Sequence, residues 1–522
     1  MLFEVEKNLI KTHSNLNPTG TRAVTDTDII VPDYQPDVGK VIQAEVLPMV
    51  CEKEVRNNYI MLKGNMDYTI LYISDEKDAP PRLKSISTRT PFTHQIEAAG
   101  AEDGDCLQVV PDVIKVEFNA VNSRKINIKS VVEFETSLMK HSDFEAVCGI
   151  NSENPLPCRT KDVDCFSLCA FAENEFEINE TLPISSGSEM IDEILKVDVK
   201  VCGSEIKSIN GKLVAKGDVQ IKALYCDTSG QLRTLGGEIP FTEVLDVDDV
   251  GENDICRVSY CISDLKYSAI ADDDGDISLM EVAAQVTIYT AVYSQSTHNI
   301  TDDLYSPDFD VKIERKKKKL CRMATRSADR SAFKEILDLP QKAPDMDCIY
   351  DVIAKPYAES AKVSGGGAQI SGTCDIYIVY TSKDSSMPVH TFKKEIPFNL
   401  NVTTDANENA LINTECIAKG LTCNILSPRA AEVRFALEFD TTILEEDEMT
   451  YIDNVLADEE KDSAEINRPG ITIYFANKGE RMWDIYKRYR TTAEDIEAVN
   501  KTAYPDILTE PARIMIPKRK IQ

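Results

Sequence analysis

The sequence predicts a mainly β protein: three tandem antiparallel β-sandwich or barrel repeat domains, followed by a small β-α-α-β module. Three observations predict it. A set of landmarks recurs three times in the same order on alternating strands. The last fifty residues carry two short helical patterns framed by two short apolar runs. The chain, at 522 residues, is too long for one hydrophobic core and implies three to four domains.

The repeat is anchored on a glycine that precedes a tyrosine by eight residues: Gly64 and Tyr72, Gly217 and Tyr225, Gly372 and Tyr380. Between them the residues alternate. Met66, Tyr68 and Ile70 share one face, as do Val219, Ile221 and Ala223, and then Cys374, Ile376 and Ile378. That period of two describes a half-buried strand. A turn signal lies before each glycine: Asn57-Asn58, Asn210-Gly211 and Gly365-Gly366-Gly367. Asn and Gly tolerate the positive φ that tight hairpins require. Further upstream come Val41-Ile42, Ile194-Leu195 and Ile349-Tyr350, and downstream Pro91-Phe92, Pro240-Phe241 and Pro397-Phe398.

More alternating strands close each unit. Ile114, Val116, Phe118 and Ala120 are assigned to the first, Val282 to Ile288 to the second, and Val433 to Phe439 to the third. Short helices are expected over residues 37–42 and 188–194. Two charged stretches read as solvated linkers: the basic run Arg315 to Lys319, continuing to Arg322 and Arg326, and the acidic runs Glu445 to Glu448 and Asp458 to Asp462. The resulting domains are 1–150, 151–314 and 333–443, a basic linker 315–332, an acidic linker 444–470, and a terminal module 471–522.

In that module the strand around Ile473 and Tyr474 runs into a turn at Gly479. A first helix carries Trp483, Ile485 and Tyr489. Thr492 caps a second helix bearing Ile496 and Val499, and Ile514 to Pro517 return as a strand. Trp483 is the only tryptophan, and a lone Trp after a Gly turn is read as a core anchor that still offers an edge at the surface. The module holds ten Lys/Arg against seven Asp/Glu, a balance of +3 in a chain of net charge −30.

The composition excludes several functions. Strong net negative charge argues against nucleic acid or an anionic membrane as partner. Fifteen cysteines, an odd number without a C-x-x-C pair, read as free thiols of a reducing compartment. Acidic residues follow Met1-Leu2-Phe3 where a signal peptide would be apolar, and no window is apolar enough to span a bilayer, so a cytosolic location is expected. Five scattered His, no nucleophile elbow and no phosphate-binding loop predict a non-enzyme with no cofactor. Asp272 to Asp276 with Glu281 imitate part of a calcium loop, but Ile270 stands where the first ligand belongs, so the segment reads as an Asp-Gly hairpin turn.

The terminal residues Gly479-Glu480-Arg481-Met482-Trp483, Thr492 and Tyr504-Pro505-Asp506-Ile507-Leu508 resemble a LysM module. Three repeats of this kind with one C-terminal LysM are similar to the SipL-like family of clostridial spore-coat morphogenetic proteins, whose repeats are SPOCS domains. The resemblance implies a scaffold in the mother-cell cytosol, on the forespore surface. It implies that LysM docks the ATPase that polymerises as the basement layer of the spore coat, and that the repeats are available to other coat proteins. Carbohydrate-binding LysM modules carry Gly-Asp-Thr/Ser-Leu in the first loop. Gly479-Glu480-Arg481-Met482 departs from this, and Pro511-Ala512 replaces the later Pro-Gly, which argues for a protein ligand.

On that resemblance the protein-binding surface is expected to combine Ile471, Tyr474, Glu480, Arg481, Met482, Trp483, Tyr504, Asp506, Ile507 and Leu508, with the two loops side by side. The competing reading is a cell-wall protein whose LysM binds the N-acetylglucosamine polymer of peptidoglycan, which would need export.

Overall fold

A computed structural model of the chain describes residues 3–517 apart from 17, 77–80, 153–155, 185–188, 210–211, 248–249, 252, 384–388 and 459–469. In chain order the first unit holds β1 (Glu4–Ile10), β2 (His13–Leu16), β3 (Arg22–Ile30), β4 (Val38–Arg56), β5 (Tyr59–Ser74), β6 (Leu83–Glu97), β7 (Cys106–Asn122), β8 (Lys125–His141) and β9 (Phe144–Asn151). The second holds β10 (Cys158–Pro183), β11 (Ile191–Ile209), β12 (Lys212–Asp227), β13 (Leu232–Leu245), β14 (Ile255–Ile270) and β15 (Leu279–Leu304). The third holds β16 (Asp310–Asp338), β17 (Cys348–Ser364), β18 (Gly367–Thr381), β19 (Val389–Thr403), β20 (Leu411–Ser427) and β21 (Ala430–Asp458).

Each unit is a sandwich of two antiparallel sheets. One is a meander, β4-β5-β6, β11-β12-β13 or β17-β18-β19. The other centres on a strand that takes an early strand of the unit on one side and the preceding strand on the other: β3-β8-β7, β10-β15-β14 and β16-β21-β20. The alternating faces read from sequence line the cores: Met66, Tyr68 and Ile70, then Val219, Ile221 and Ala223, then Cys374, Ile376 and Ile378 are all buried. Tyr72, Tyr225 and Tyr380 are buried as well.

The repeat glycines have a common physical cause. Gly64 pairs with Val50 and Phe92, Gly217 with Gly203 and Phe241, Gly372 with Ala358 and Phe398. In each unit the facing strand bulges immediately after that pair, at Val50/Glu52, Gly203/Glu205 and Ala358/Ser360. The bulge pushes a carbonyl toward the glycine, and the Phe ring of the Pro-Phe landmark covers it. A side chain has no room there, so glycine is required for close backbone approach. The Pro residues fall on β6, β13 and β19, sheet-edge strands where a missing N–H is tolerated.

Several expectations need correction. The segment Ile114–Ala120 is a strand as read, but it does not fill the core, which is lined by β8 with Ile126, Ile128, Val132 and Phe134 buried. That segment belongs to β7, where a bulge after Val113 turns Ile114 outward, 46% exposed. The stretches 37–42 and 189–194 are not helical, because Val38 and Ile191 open strands β4 and β11; Ser188 and the Asn210-Gly211 turn lie outside the described residues. Residues 315–332 are not a linker but part of β16, and 444–458 belong to β21; residues 459–469 are outside the described part. The two charge runs pair with each other. Lys317 meets Glu448 at 2.6 Å, Lys316 meets Asp453 at 2.8 Å, and Arg322 pairs with Glu445. The third unit therefore runs over 310–458.

Equivalent positions of the three units converge. Leu71, Leu224 and Val379, each one residue before the landmark Tyr, meet in one apolar cluster with Leu195 and, at its margin, Ile42 and Tyr350. Beside it the Lys196 ammonium is held by Glu45 of the first unit and Asp198, both at 2.8 Å, and Lys222 reaches Asp351 of the third unit at 2.5 Å. Away from the sandwiches, three two-stranded ribbons pack together: β1 with β9, the start of β10 with the end of β15, and the start of β16 with the end of β21. Ile10, Phe144, Val163, Ile300, Leu320 and Tyr451 form their shared core. The ends of β15 and β16 at this bundle carry the terminal module.

Candidate functional site

The terminal module consists of β22 (Ile471–Ala476), α1 (Met482–Tyr489), α2 (Ala493–Asn500) and β23 (Ala512–Pro517), with the two strands antiparallel. Gly479 takes φ +89° at the turn after β22. Arg490 and Lys501 close the helices in the left-handed conformation, and Thr492 accepts the Asp495 N–H at 3.2 Å as the cap of α2. The Asn500 amide ties α2 to β23 by bonding both the N–H and the C=O of Met515. The core is Ala476, Met482, Ile485, Ile496, Leu508, Ile514 and Ile516.

The loops around Gly479 and Asp506 lie side by side. Gly479 N–H donates to the Leu508 carbonyl at 2.7 Å, Met482 N–H to Asp506 at 2.8 Å, and Leu508 N–H to Glu480 at 3.0 Å. This pairing presents Arg481, Asp506 and Ile507 outward, Ile507 being 49% exposed. Glu480 and Tyr504 are half-buried beside them. The Tyr474 hydroxyl donates to Glu480 at 2.9 Å and receives Arg488 at 3.2 Å. That bond holds the Glu480 carboxyl below its ordinary pKa and pushes the Tyr474 phenol above its own.

Four of the ten expected surface residues stand elsewhere. Met482 and Leu508 are buried, at 1% and 3% exposure, because the loop pairing turns both side chains into the module core. Ile471 starts β22 at the end away from the Gly turn, roughly 17 Å along the strand. It belongs to the sheet face that the helices do not cover, with Ile473 and Phe475, which are 54% and 72% exposed. Sequence reasoning missed those two, although the alternation Ile471, Ile473, Phe475 was there to see.

Trp483 is the fourth. It is not a core anchor of its own module but packs against the second unit. Its indole N–H donates to Asp303 Oδ2 at 2.9 Å, its ring meets Tyr305 edge-on at 5.3 Å, and the Arg159 guanidinium lies 5.7 Å from its centre. Asp303 Oδ1 also accepts Lys487 at 2.6 Å and Arg315 at 3.1 Å. The Tyr305 hydroxyl donates to the Thr491 carbonyl at 2.6 Å, and Arg490 pairs with Asp310. Burial alone would raise Asp303; the bonds from Lys487 and Trp483 outweigh it and hold the carboxyl below the usual range.

Elsewhere, the Asp272 segment is a hairpin turn between β14 and β15. Its carboxylate is taken up by the turn itself, accepting the N–H groups of Asp274 and Asp276 at 3.0 Å each and the Ser278 hydroxyl. No helix among the described residues is long and apolar enough to cross a membrane.

Comparison with known proteins adds the family. The family model of the SipL SPOCS domain matches residues 37–121, 190–270 and 345–426. No curated protein and no solved structure matches the chain. The three matches cover β4–β7, β11–β14 and β17–β20 at equivalent places, and the chain on either side supplies the other strands of each sandwich, including the central β8, β15 and β21. The chain thus carries three copies of the SipL SPOCS domain.

Proposed function

We propose that this sporulation-family protein is a non-enzymatic scaffold that links the basement-layer ATPase of the spore coat to the forespore surface. The terminal module, read as a LysM, is its protein-docking element, and the SPOCS repeats supply a body to which other coat proteins attach. The protein works in the mother-cell cytosol. The observation that carries the reading is the threefold SPOCS match joined to a small module whose paired loops expose Arg481, Asp506 and Ile507. An exposed Arg beside an apolar residue suits a protein surface, where Arg anchors are favoured, better than a sugar groove.

The test is binding of the full chain to the purified ATPase, alongside sedimentation with purified peptidoglycan. Arg481→Glu and Ile507→Glu should each weaken ATPase binding at unchanged far-UV circular dichroism. A chain that sediments with peptidoglycan and ignores the ATPase would replace this reading with the cell-wall one. A fluorescent fusion should encircle the forespore on its mother-cell side.

A further inference from the structure

Helix α1 has two working faces. Met482 and Ile485 face the module core. Trp483, Lys487 and Arg490, spaced by four and then three residues, form a separate stripe. This stripe sets the chain's only tryptophan one turn before two cations, and Trp and Arg are the residues that dominate interface energetics. It is occupied by the connection between β15 and β16. Asp303 takes Trp483 and Lys487 on its two oxygens, Tyr305 covers the indole edge, and Asp310 pairs with Arg490. The occupant is a short stretch of the body that joins two strands. After Leu304 the chain leaves the β15 ladder, and it rejoins a sheet only at Asp310. From the last rungs of β15 to the first of β16 it offers the Asp303 carboxylate, Leu304 as spacer and the Tyr305 ring, then the Asp310 carboxylate. Asp303 and Tyr305 are both buried, at 8% and 4% exposure, and Asp303 also takes the adjoining Arg315.

We propose that the Trp483–Lys487–Arg490 stripe is a recognition face for acidic peptides with an aromatic residue two positions after a carboxylate, and that residues 303–310 fill it in cis as an internal ligand. An outside partner of that chemistry gains the face only by displacing the body segment, so the module is closed until such a partner competes. The proposal does not depend on the spore-coat reading, because its probe is a peptide of this chain's own sequence.

Trp483 reports the outcome directly. In the full-length Asp303→Ala/Tyr305→Ala variant its emission should move to longer wavelength and become accessible to iodide. A synthetic peptide of residues 300–310 should then reverse both changes in a saturable way. The same peptide with Asp303→Asn should bind at least about tenfold more weakly, as expected on losing a charge-assisted bond. Wild-type protein should resist the peptide because the face is already filled. An indole that stays protected in the double variant, or one that is exposed yet ignores millimolar peptide, overturns the proposal. Should the double variant lose its β circular dichroism, Lys487→Met/Arg490→Met leaves the body untouched and must expose Trp483; a protected indole there overturns it equally. Failure of the chain to bind the coat ATPase would leave these signals unchanged, so the two readings fail separately.

Discussion

Adding one methyl group at Gly372 should unseat the third unit. A Cβ at that position would stand 1.9 Å from the Tyr357 carbonyl oxygen and 2.7 Å from Phe398 Cζ, where real Cβ contacts essentially never fall below 3.0 Å. The oxygen belongs to the bulged strand β17 and cannot rotate aside. Phe398 is 4% exposed and packed in the unit's core. Relief therefore requires more than an ångström of strand displacement, which undoes the bulge and the ring packing together. Overpacking of a core typically costs about 1–3 kcal/mol, and a backbone clash lies at the upper end, so about 3 kcal/mol is expected for Gly372→Ala. For a unit of this size that is roughly a 6–12 °C fall in its thermal midpoint. The assay is thermal unfolding followed by far-UV circular dichroism, with Gly470→Ala as control, since nothing lies within 4 Å of a Cβ there. The geometry also ranks the repeats. Gly64→Ala meets Met49 O at 1.9 Å, whereas Gly217→Ala meets Cys202 O at 2.4 Å and should be the mildest of the three. Three variants within about 0.5 kcal/mol of wild type, or Gly217→Ala the worst, would refute the argument.

Other expectations follow from the same contacts. Lys196→Met strands the Glu45 and Asp198 carboxylates; because both are partly exposed, we expect a loss of about 1–3 kcal/mol in urea unfolding, below the figure for fully buried pairs. His13 accepts the Leu168 N–H, and burial, helped by His141, pushes its pKa down to about 4 from 6.5. With the folded value below the unfolded one, its contribution is complete above pH 6.5 and is lost as pH falls toward 4, at up to about 1.4 kcal/mol per pH unit. His13→Asn, which keeps an acceptor without titrating, should flatten that slope, and an unchanged pH profile would discount His13. Met482→Ala should destabilise the terminal module by about 2–5 kcal/mol, in contrast to Arg481→Glu, which should leave its melting unchanged. Of the free thiols, the exposed Cys51 and Cys348 should react with a thiol reagent in the native protein, whereas the buried Cys165, Cys226, Cys261 and Cys374 should wait for unfolding.

The strands and their threefold recurrence were local properties of the chain. A period of two declares a buried face without reference to anything distant, and glycine declares a place with no room for a side chain. The Gly-Tyr and Pro-Phe landmarks, the Asp272 turn and the Thr492 cap were legible because each is a local signal. The tertiary structure decided what depends on residues far apart in the chain. Lys317 and Glu448 read as solvated linkers until the ladder between β16 and β21 set opposite charges against each other. The Ile114 alternation was real, but a single bulge in β7 sent it outward and left β8 to fill the core. In the terminal module, local spacing located the loops but could not say which side chains they display. Met482 and Leu508 turn inward because the loops hydrogen-bond to each other. The partner of Trp483 lay 180 residues away, at Asp303, and only the packing of the module on the ribbon tip could bring an indole to that carboxylate.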